Sequence, residues 1–475
     1  MKKTGPVLVC VLCFLFATAG LAVSQQVEQE EKEKKVYKLD RVIVREHPLR
    51  DEALVVTPEV TVINVDEFKK AGPIETIRDV LSEALGVDVL RTSVTPSPSE
   101  SIYIRGLDQS RIQVFLDGRP MRLFGAYGYY KIDWTTMPLD NVETIEVIRG
   151  GHSLLYPFSM GGAINIITKK GIKTDKLKPE VSLKSEFGSF GMESYSAHMQ
   201  GGLYSTLGYS FAAATRQGDG YLRNNYYDTG SFNGRISLYL PTDGTLTFAY
   251  DYVDNETGYP VINDPARDDY DPDEPVVLEG ADWFTHGIEG RTYPGGDSFW
   301  RKRTNESGIL LEQPAGPGEI RAQVYKHRSS RDRYGVESDG TPKNAGVDSD
   351  EYTWGTALDL LSFELIGGHS FSAGGDYRNQ GYPYNRDFYE IYSGYVQDVW
   401  SLLPSLTATY GFRYYRFESD AYRAGFPGWR APEAERERLL YRRVEKEYCP
   451  KFRLAYQMTP GLELHFAASK EMRLP

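Results

Sequence analysis

The stretch GRISLYLPTDGTLTFAYDYV, residues 234–253, decides the fold class of this protein. Apolar residues alternate with mostly polar ones on both sides of residues 241–244, which have the sequence Pro-Thr-Asp-Gly. A period of two predicts β-strands, and the Pro, Asp and Gly residues predict a tight turn. The stretch therefore predicts a hairpin with one apolar face, formed by Ile236, Leu238, Leu240, Leu246, Phe248, Tyr250 and Tyr252.

Three more hairpins of this pattern follow, around the short turns QPAGPG (313–318), LLPS (402–405) and MTPG (458–461). Long polar connections alternate with the short turns, as in outer-membrane barrels with tight periplasmic turns and extended extracellular loops. The long connections are expected at about 218–231, 254–303, 328–350, 378–387 and 418–446. Counted from Val181, the pattern predicts about 13 antiparallel strands.

The composition favours a membrane barrel. The chain is only 40% hydrophobic, yet its 475 residues include 34 Tyr, 21 Phe and 46 Gly. Lipid-facing and lumen-facing residues alternate in such barrels, and aromatic girdles lie at both interfaces. The net charge of −12 argues against a nucleic-acid partner. A secreted β-sandwich enzyme is the alternative, but the chain has no Gly-x-Ser-x-Gly, His-Glu-x-x-His or phosphate-loop motif, so we do not expect an enzyme.

The first residues predict export. Lys2 and Lys3 precede an apolar segment at 7–16, and small residues including Ala22 and Ser24 follow it. This is the pattern of a signal peptide, expected at residues 1–24. Cys449 is the one cysteine beyond it, so no intrachain disulfide is expected.

The segment in front of the predicted barrel mixes strand and helix patterns. Residues 61–65 read as a strand, and helical spacing follows, with Gly86 as a helix stop. Two units of strand, turn and strand come next, and the segment ends in GGAINIITKKG, residues 161–171. It therefore predicts a small α+β domain of about 125 residues. The helical spacing involves Ile77, Val80, Leu81, Ala84 and Leu85.

Four blocks of this segment carry a family resemblance. They are Ile104-Arg105-Gly106, Phe115-Leu116-Asp117-Gly118-Arg119-Pro120, Val142-Glu143-x-Ile145-Glu146-Val147-Ile148-Arg149-Gly150, and Tyr156 with Gly161-Gly162-Ala163-Ile164-Asn165-Ile166-Ile167-Thr168. In order and spacing they resemble the plug domain of a TonB-dependent outer-membrane receptor, over about residues 40–171. One departure is Tyr156-Pro157-Phe158-Ser159, where the family more usually has Tyr-Gly followed by small residues, which leaves the conformation of this loop open.

The resemblance implies a plug domain, residues 45–171, inside an antiparallel transmembrane β-barrel, residues 172–475. Plugged barrels have about 22 strands, so about 13 strands predict an incomplete, C-terminally truncated barrel with more strands beyond Pro475. A plug in a wet lumen can keep charged contacts, so we expect an ion network of Arg105, Glu143, Glu146 and Arg149; solvated charges at strand ends are the alternative. Plug turns are expected at Gly106, Asp117, Gly118, Gly150 and Gly162.

The family receives energy from TonB, a periplasm-spanning protein anchored in the inner membrane. Residues 25–44 are expected to be a periplasmic linker, because their charged part, QQVEQEEKEKK, cannot form a core. The extended segment at the end of this linker suits strand addition to a partner's sheet and is the expected TonB box. The alternative is that this segment is the first strand of the plug domain, or a linker that only packs beneath it. The box comprises Leu39, Asp40, Arg41, Val42, Ile43 and Val44.

The expected function is energised uptake of a scarce ligand. An aromatic plug loop is the expected ligand site, with wall packing as the alternative, and comprises Phe124, Tyr127, Tyr129, Tyr130 and Trp134. The resemblance to the family favours a ferric siderophore as the ligand, and cobalamin, other metal chelates and saccharides stay open. Haem is not favoured, because none of the seven His is clearly paired with another as axial ligands. A passive pore or a surface-binding and signalling protein is the alternative of another class. We expect a monomer in outer-membrane lipid, with TonB as partner and no cofactor.

The acidic loop NDPARDDYDPDEP, residues 263–275, is the remaining candidate for a metal site. Its carboxylates suit Ca²⁺ as ligands, but it lacks the ordered ligand spacing of an EF-hand. A solvated acidic loop is therefore the favoured interpretation, and no metal site is predicted.

Overall fold

A computed structural model describes residues 54–472. The description leaves out residues 57–59, 72–75, 91–100, 110, 122–131, 133, 138, 150–153, 176, 178, 259, 279–298, 337–341, 383–386, 423–433, 435–439 and 460–461. No helix among the described residues is long and apolar enough to span a membrane.

The plug domain contains a six-stranded sheet with the order β1-β2-β7-β8-β5-β6. Strands β5 and β8 pair in parallel, and the other neighbours pair antiparallel. Strands β3 and β4 form a separate hairpin. The strands are β1 Leu54–Val56, β2 Val60–Asn64, β3 Val87–Leu90, β4 Ser101–Ile104, β5 Ile112–Leu116, β6 Arg119–Pro120, β7 Val142–Arg149 and β8 Gly162–Thr168.

Two short helices, α1 (Val65–Ala71) and α2 (Ile77–Leu81), cover the plug sheet. Helix α2 begins after Thr76, whose N–H and hydroxyl both donate to the Asp79 carboxylate at 2.9 Å, so the Asp79 side chain satisfies the Thr76 N–H. The predicted helical face is buried except at Leu85, which is exposed because α2 ends four residues earlier. The core that α2 joins includes Ile63, Ile77, Val80, Leu81, Ile104, Val114, Ile145, Val147, Ile164 and Ile166.

The rest of the chain forms one antiparallel sheet of 13 described strands, which we call the wall. Each strand pairs with the next along the chain, so every connection is a hairpin. The strands are β9 Glu180–Phe187, β10 Glu193–Leu203, β11 Leu207–Gly218, β12 Tyr227–Tyr239, β13 Thr245–Gly258, β14 Phe299–Ala315, β15 Gly318–Val336, β16 Pro342–Glu364, β17 His369–Tyr382, β18 Asp387–Leu403, β19 Leu406–Tyr422, β20 Leu440–Thr459 and β21 Leu462–Ser469.

The wall exposes its apolar face and buries its polar face, which is the reverse of the pattern in a soluble protein. On β12 and β13 the apolar residues Ile236 and Phe248 are exposed, whereas their polar neighbours Ser237 and Thr247 are buried. The polar residues are buried because their face, the inner face, lies against the plug domain. The opposite, apolar face is the outer face, as expected of a sheet that meets lipid.

The four predicted hairpins are confirmed, but several strands run further than expected. Strand β15 continues to Val336 and β16 begins at Pro342, so the prediction of a loop at 328–350 is wrong for most of its length. Charged residues near the ends of the long strands pair with residues of the neighbouring strand: Arg301 Nη2 of β14 lies 2.6 Å from Asp254 Oδ2 of β13, and Arg303 of β14 pairs with Asp332 of β15. Such pairs let a polar sequence remain in a sheet outside the apolar band.

Candidate functional site: the contact between plug domain and wall

The turn at Asp117 and Gly118 brings the plug domain into contact with the wall. Both residues have left-handed backbones, with φ of 50° and 78°, which Asp tolerates and Gly adopts freely. A Cβ added at Gly118 would lie 3.1 Å from Arg321 Nη2 of β15. The Asp-Gly pair thus makes a tight turn and leaves room for a wall arginine.

A buried ion cluster surrounds this turn. Arg235 of β12, only 1% exposed, donates to both carboxylate oxygens of Asp251 of β13 at 2.7 and 2.9 Å. Its Nη2 also lies 3.4 Å from Asp117 Oδ2. Arg119 Nη2 lies 3.7 Å from Asp117 Oδ2 and 3.5 Å from Asp251 Oδ2. Two plug charges and two wall charges therefore share one site between the domains.

The Asp117 carboxylate is held in place by the last residue of β8. The backbone N–H of Thr168 donates to Asp117 Oδ1 at 2.9 Å, and Arg235 Nε donates to Thr168 Oγ1 at 3.0 Å. Burial alone would raise the pKa of Asp117, but the charges of Arg235 and Arg119 outweigh burial and hold this pKa below its ordinary value. Asp117 is therefore an anion at neutral pH.

Further polar contacts continue along the same side of the plug domain. Arg216 of β11 donates to both oxygens of Asp140 at 2.9 and 2.7 Å. Ser210 Oγ donates to Asn141 Oδ1 at 2.8 Å. Strands β11 to β15 thus hold the plug domain through charges and hydrogen bonds.

The opposite side of the plug domain is held by an aromatic residue, Phe158. Its φ of 61° is strained for a bulky side chain. The Phe158 ring packs against Tyr415 at 4.6 Å between centroids, and its backbone N–H donates to the Tyr415 hydroxyl at 3.3 Å. The Arg378 guanidinium lies 5.7 Å from the ring centroid. The departure from the family pattern at 156–159 is therefore where the chain anchors to β17 and β19.

The residues of the predicted plug ion network lie in more than one environment. Glu146 accepts from Asn165 Nδ2 at 3.0 Å, and burial raises its pKa to about 7. Arg149 donates to Leu85 O at 3.0 Å and to the Thr61 hydroxyl, and burial together with the charge of Arg105 lowers its pKa. Glu143 is partly exposed on β7. That the four act as one network stays a prediction.

Of the other predicted residues, Gly106 and Gly162 have φ of 76° and 136°. Trp134 is 2% exposed and its Nε1 donates to Gln109 Oε1 at 3.3 Å, so its ring belongs to the plug core and is closed to a ligand here. The remaining predicted residues lie outside the described residues: Gly150, Phe124, Tyr127, Tyr129, Tyr130, Leu39, Asp40, Arg41, Val42, Ile43 and Val44.

A cationic and aromatic patch on the inner face was missed by sequence reasoning. The Arg331 guanidinium lies 4.4 Å from the centroid of the Trp300 ring, and Lys302 is the register partner of Arg331. Lys302 also pairs with Asn255, whose Nδ2 donates to Thr135 of the plug domain at 3.2 Å. The patch therefore lies beside Thr135, which follows the predicted aromatic loop in the sequence. Trp300, Lys302 and Arg331 lie in segments that were interpreted as loops, 254–303 and 328–350. The alternation of residue types inside these segments was the sequence signal that could have identified them as strands.

The acidic loop is organised around an amide. Asn263 Nδ2 donates to the carbonyl oxygens of Asp271, Glu274 and Pro275 at 2.8 to 3.1 Å. Within the described residues, no group of three or more His, Cys, Asp or Glu side chains is placed to hold a metal ion.

Two family models match the sequence. A model described as TonB-dependent Receptor Plug Domain matches residues 54–163, and one described as TonB dependent receptor-like, beta-barrel matches residues 290–475.

Solved structures share the fold at low sequence identity. They include the ferric enterobactin receptor PfeA (16% identity, TM-score 0.62, 88% of this chain and 63% of that one). The ferric yersiniabactin uptake receptor FyuA from Yersinia pestis is similar at 14% identity, TM-score 0.61, over 86% and 63%. The copper transporter OprC is similar at 12% identity, TM-score 0.65, over 90% and 64%. This chain thus spans about 63% of the length of the structures it resembles.

Proposed function

The chain belongs to the family of TonB-dependent receptors, and on that premise we propose that it takes up a ferric siderophore with energy delivered by TonB. Family and fold are those of outer-membrane transport receptors. The proposal includes a signal peptide at 1–24, a linker with the TonB box at 25–44, a plug domain at 45–171 and barrel strands from 172 onward.

The observation that carries the proposal is the attachment of the plug domain to the wall on two sides. The Asp117 and Arg235 cluster holds one side, and Phe158 holds the other. A buried charge cluster is costly to break by removing one partner, and a buried aromatic ring is costly to expose. Opening a path past this plug therefore requires work, which a passive pore does not receive. The attachment supports an energised transporter over the passive alternative.

The patch of Trp300, Lys302 and Arg331 supports an anionic ligand. Lysine and arginine attract carboxylate or phenolate oxygens, and an aromatic face suits a flat chelate. PfeA and FyuA are named for ferric enterobactin and ferric yersiniabactin, and OprC for copper, so these structural neighbours are named for a metal or its complex. A neutral saccharide gives these two cations no charge to bind. Cobalamin and a copper complex remain the second candidates.

The test is uptake by a strain that lacks its other iron receptors and carries this receptor. Radiolabelled ferric enterobactin, ferric citrate, copper and cobalamin are offered in turn. We expect uptake of one anionic ferric chelate, abolished by dissipating the proton gradient. Uptake that persists without the gradient would contradict energised transport, and uptake of cobalamin or copper alone would contradict the siderophore assignment.

Two matched variants then test the patch. Lys302→Gln with Arg331→Gln removes two inner-face charges, and we expect about tenfold weaker binding of the anionic chelate. Lys326→Gln with Arg328→Gln removes two exposed charges of the outer face of β15 and is the control. Equal affinity in both double variants would place the ligand elsewhere.

A further inference from the structure

Asp398 of β18 lies on the outer face of the wall. Along β18, Val396 is exposed on the outer face, whereas Tyr395 is buried and pairs with Arg413, which reaches the plug domain at Leu154 O. Asp398 is two residues from Val396 in the same strand, so its side chain lies on the same face. Its register partners on the two neighbouring strands, Phe371 and Tyr410, are 41% and 40% exposed. The carboxylate therefore stands in a row of outward-facing apolar and aromatic side chains.

The depth of Asp398 follows from its distance to a short turn. Strand β18 ends at Leu403, five residues later, and β19 begins at Leu406. Five residues of a strand tilted by about 45° rise about 12 Å, which places Asp398 in the periplasmic half of an apolar band about 25 Å tall. An ionisable residue among lipid-facing side chains is costly, and it marks a site unless packing alone satisfies it.

Packing satisfies only one oxygen of this carboxylate. His369 Nδ1 lies 2.7 Å from Oδ2, and the Tyr410 hydroxyl donates to the same Oδ2 at 2.5 Å. Oδ1 has no hydrogen-bond partner among the described residues, although Asp398 is only 2% exposed. A buried acceptor without a donor carries a desolvation cost that a bound donor would remove.

Aromatic rings lie beside His369, the residue that contacts the Asp398 carboxylate. The His369 ring stacks on Trp400 at 4.9 Å and on Phe371 at 5.9 Å between centroids. Rings of this kind attract a cation through their faces, and they collect at the membrane interface. The surroundings of Asp398 thus combine a carboxylate, a buried acceptor without a donor and aromatic faces that suit a cation.

We propose that Asp398, His369, Phe371, Trp400 and Tyr410 form a binding site for the primary ammonium group of a phospholipid in the periplasmic leaflet. The ammonium enters between the exposed rings of Phe371 and Tyr410 and donates an N–H to Asp398 Oδ1. Its remaining donors face the phosphate region. The site lies outside the lumen, so it does not depend on the proposed transport function.

Lipid binding to the purified receptor tests the site. Phosphatidylethanolamine, phosphatidylglycerol and phosphatidylcholine are titrated separately, and bound lipids are counted by native mass spectrometry. We expect one site that prefers the ethanolamine lipid over the glycerol lipid by roughly fivefold, the effect of one charge pair of modest strength. Phosphatidylcholine should bind more weakly than the ethanolamine lipid, because its quaternary ammonium has no N–H to donate.

Two variants locate the preference. Asp398→Asn removes the charge at constant shape and should abolish it, whereas Asp243→Asn makes the same change at an exposed turn with φ of 60°, which Asn tolerates, and should retain it. If Asp398→Asn fails to insert, Tyr410→Phe keeps both ring and carboxylate and should preserve the preference. Equal binding of the ethanolamine and glycerol lipids by the unaltered receptor, an unchanged preference in Asp398→Asn, or its loss in Tyr410→Phe would each overturn the proposal.

Discussion

At the scale of single residues, Asp117 joins a backbone preference to a contact between domains. Its left-handed turn is a local property of the Asp-Gly pair, yet the carboxylate it presents is shared by Arg119 and Arg235. The turn therefore reverses the chain and also supplies the plug-domain charges of the ion cluster that joins the plug domain to the wall.

Asp117→Asn should loosen the plug domain without disturbing the turn, because Asn also tolerates the left-handed backbone. Arg235 would keep Asp251 but lose its second anion, so we expect a loss of about 2 kcal/mol in the stability of β5 and β8. Hydrogen exchange of these strands measures it. Asp108→Asn, in the half-exposed pair with Arg111, is the control and should change little. Equal exchange in the two variants would rule out a stabilising role for the cluster.

Glu146 predicts a pH dependence of plug stability. Because burial raises its pKa from 4.5 to about 7, the folded plug domain holds the proton more tightly than the unfolded chain does. The contribution of Glu146 to the free energy of unfolding is full below pH about 4.5. It falls by about 3 kcal/mol as the pH rises to about 7 and is constant above that.

Glu146→Gln mimics the neutral acid and should remove this dependence. Unfolding of the plug domain at pH 5 and pH 8 measures the difference, with Glu83→Gln at an exposed position as the control. A variant that keeps the full decrease between these pH values would show that another group is responsible.

At the scale of elements, the two sides of the plug domain are held by different chemistry. Strands β11 to β15 use ion pairs and hydrogen bonds, whereas β17 to β20 pack around the Phe158 ring and add hydrogen bonds to the Phe158 N–H and to Leu154 O. The cluster around Phe158 contains Ile391, Tyr415, Phe417 and Cys449. A polar contact can exchange its partners for water, but a buried ring loses its contacts outright.

Phe158 predicts an unusual order of substitution effects. Phe158→Ala removes the ring and should cost about 3 kcal/mol of plug stability. Phe158→Gly removes the same ring but relieves a left-handed backbone worth about 1 kcal/mol, so glycine should be less destabilising than alanine. Hydrogen exchange of β8, Gly162–Thr168, reports the difference, and Phe187→Ala on an exposed strand is the control. Glycine more destabilising than alanine would argue that the backbone strain is absent.

At the scale of the whole molecule, the proposed coupling to TonB separates an energised transporter from a pore. Strand addition uses main-chain hydrogen bonds, and proline removes a donor and restricts φ. Val42→Pro or Ile43→Pro should therefore abolish uptake while ligand binding at the cell surface and membrane insertion persist. Surface-bound and internalised ligand are measured in the same cells.

The control for this prediction lies in the same linker. Gln26→Pro is outside the proposed TonB box and should leave uptake unchanged. Normal uptake in both box variants would mean that residues 39–44 are not the coupling segment, or that transport is not energised.

The sequence alone was sufficient for the features whose causes are local. Alternation with a period of two and turn chemistry predicted the hairpin at 234–253, the strand count of the wall and the Asp117 turn, because neighbouring residues determine all three. The blocks between Ile104 and Thr168 were sufficient to identify the family. The extent of β15 and β16 was not predicted, since pairing with a neighbouring strand keeps polar residues in a sheet.

Only the tertiary structure decided which groups meet. Asp117 and Arg235 are 118 residues apart, and Phe158 and Tyr415 are 257 apart, so no local pattern relates them. Trp134 looked like a ligand residue but lies in the plug core, because its surroundings come from distant strands. The neighbours of Asp398, Phe371 and Tyr410, are likewise set by the register of three strands, which no local pattern gives.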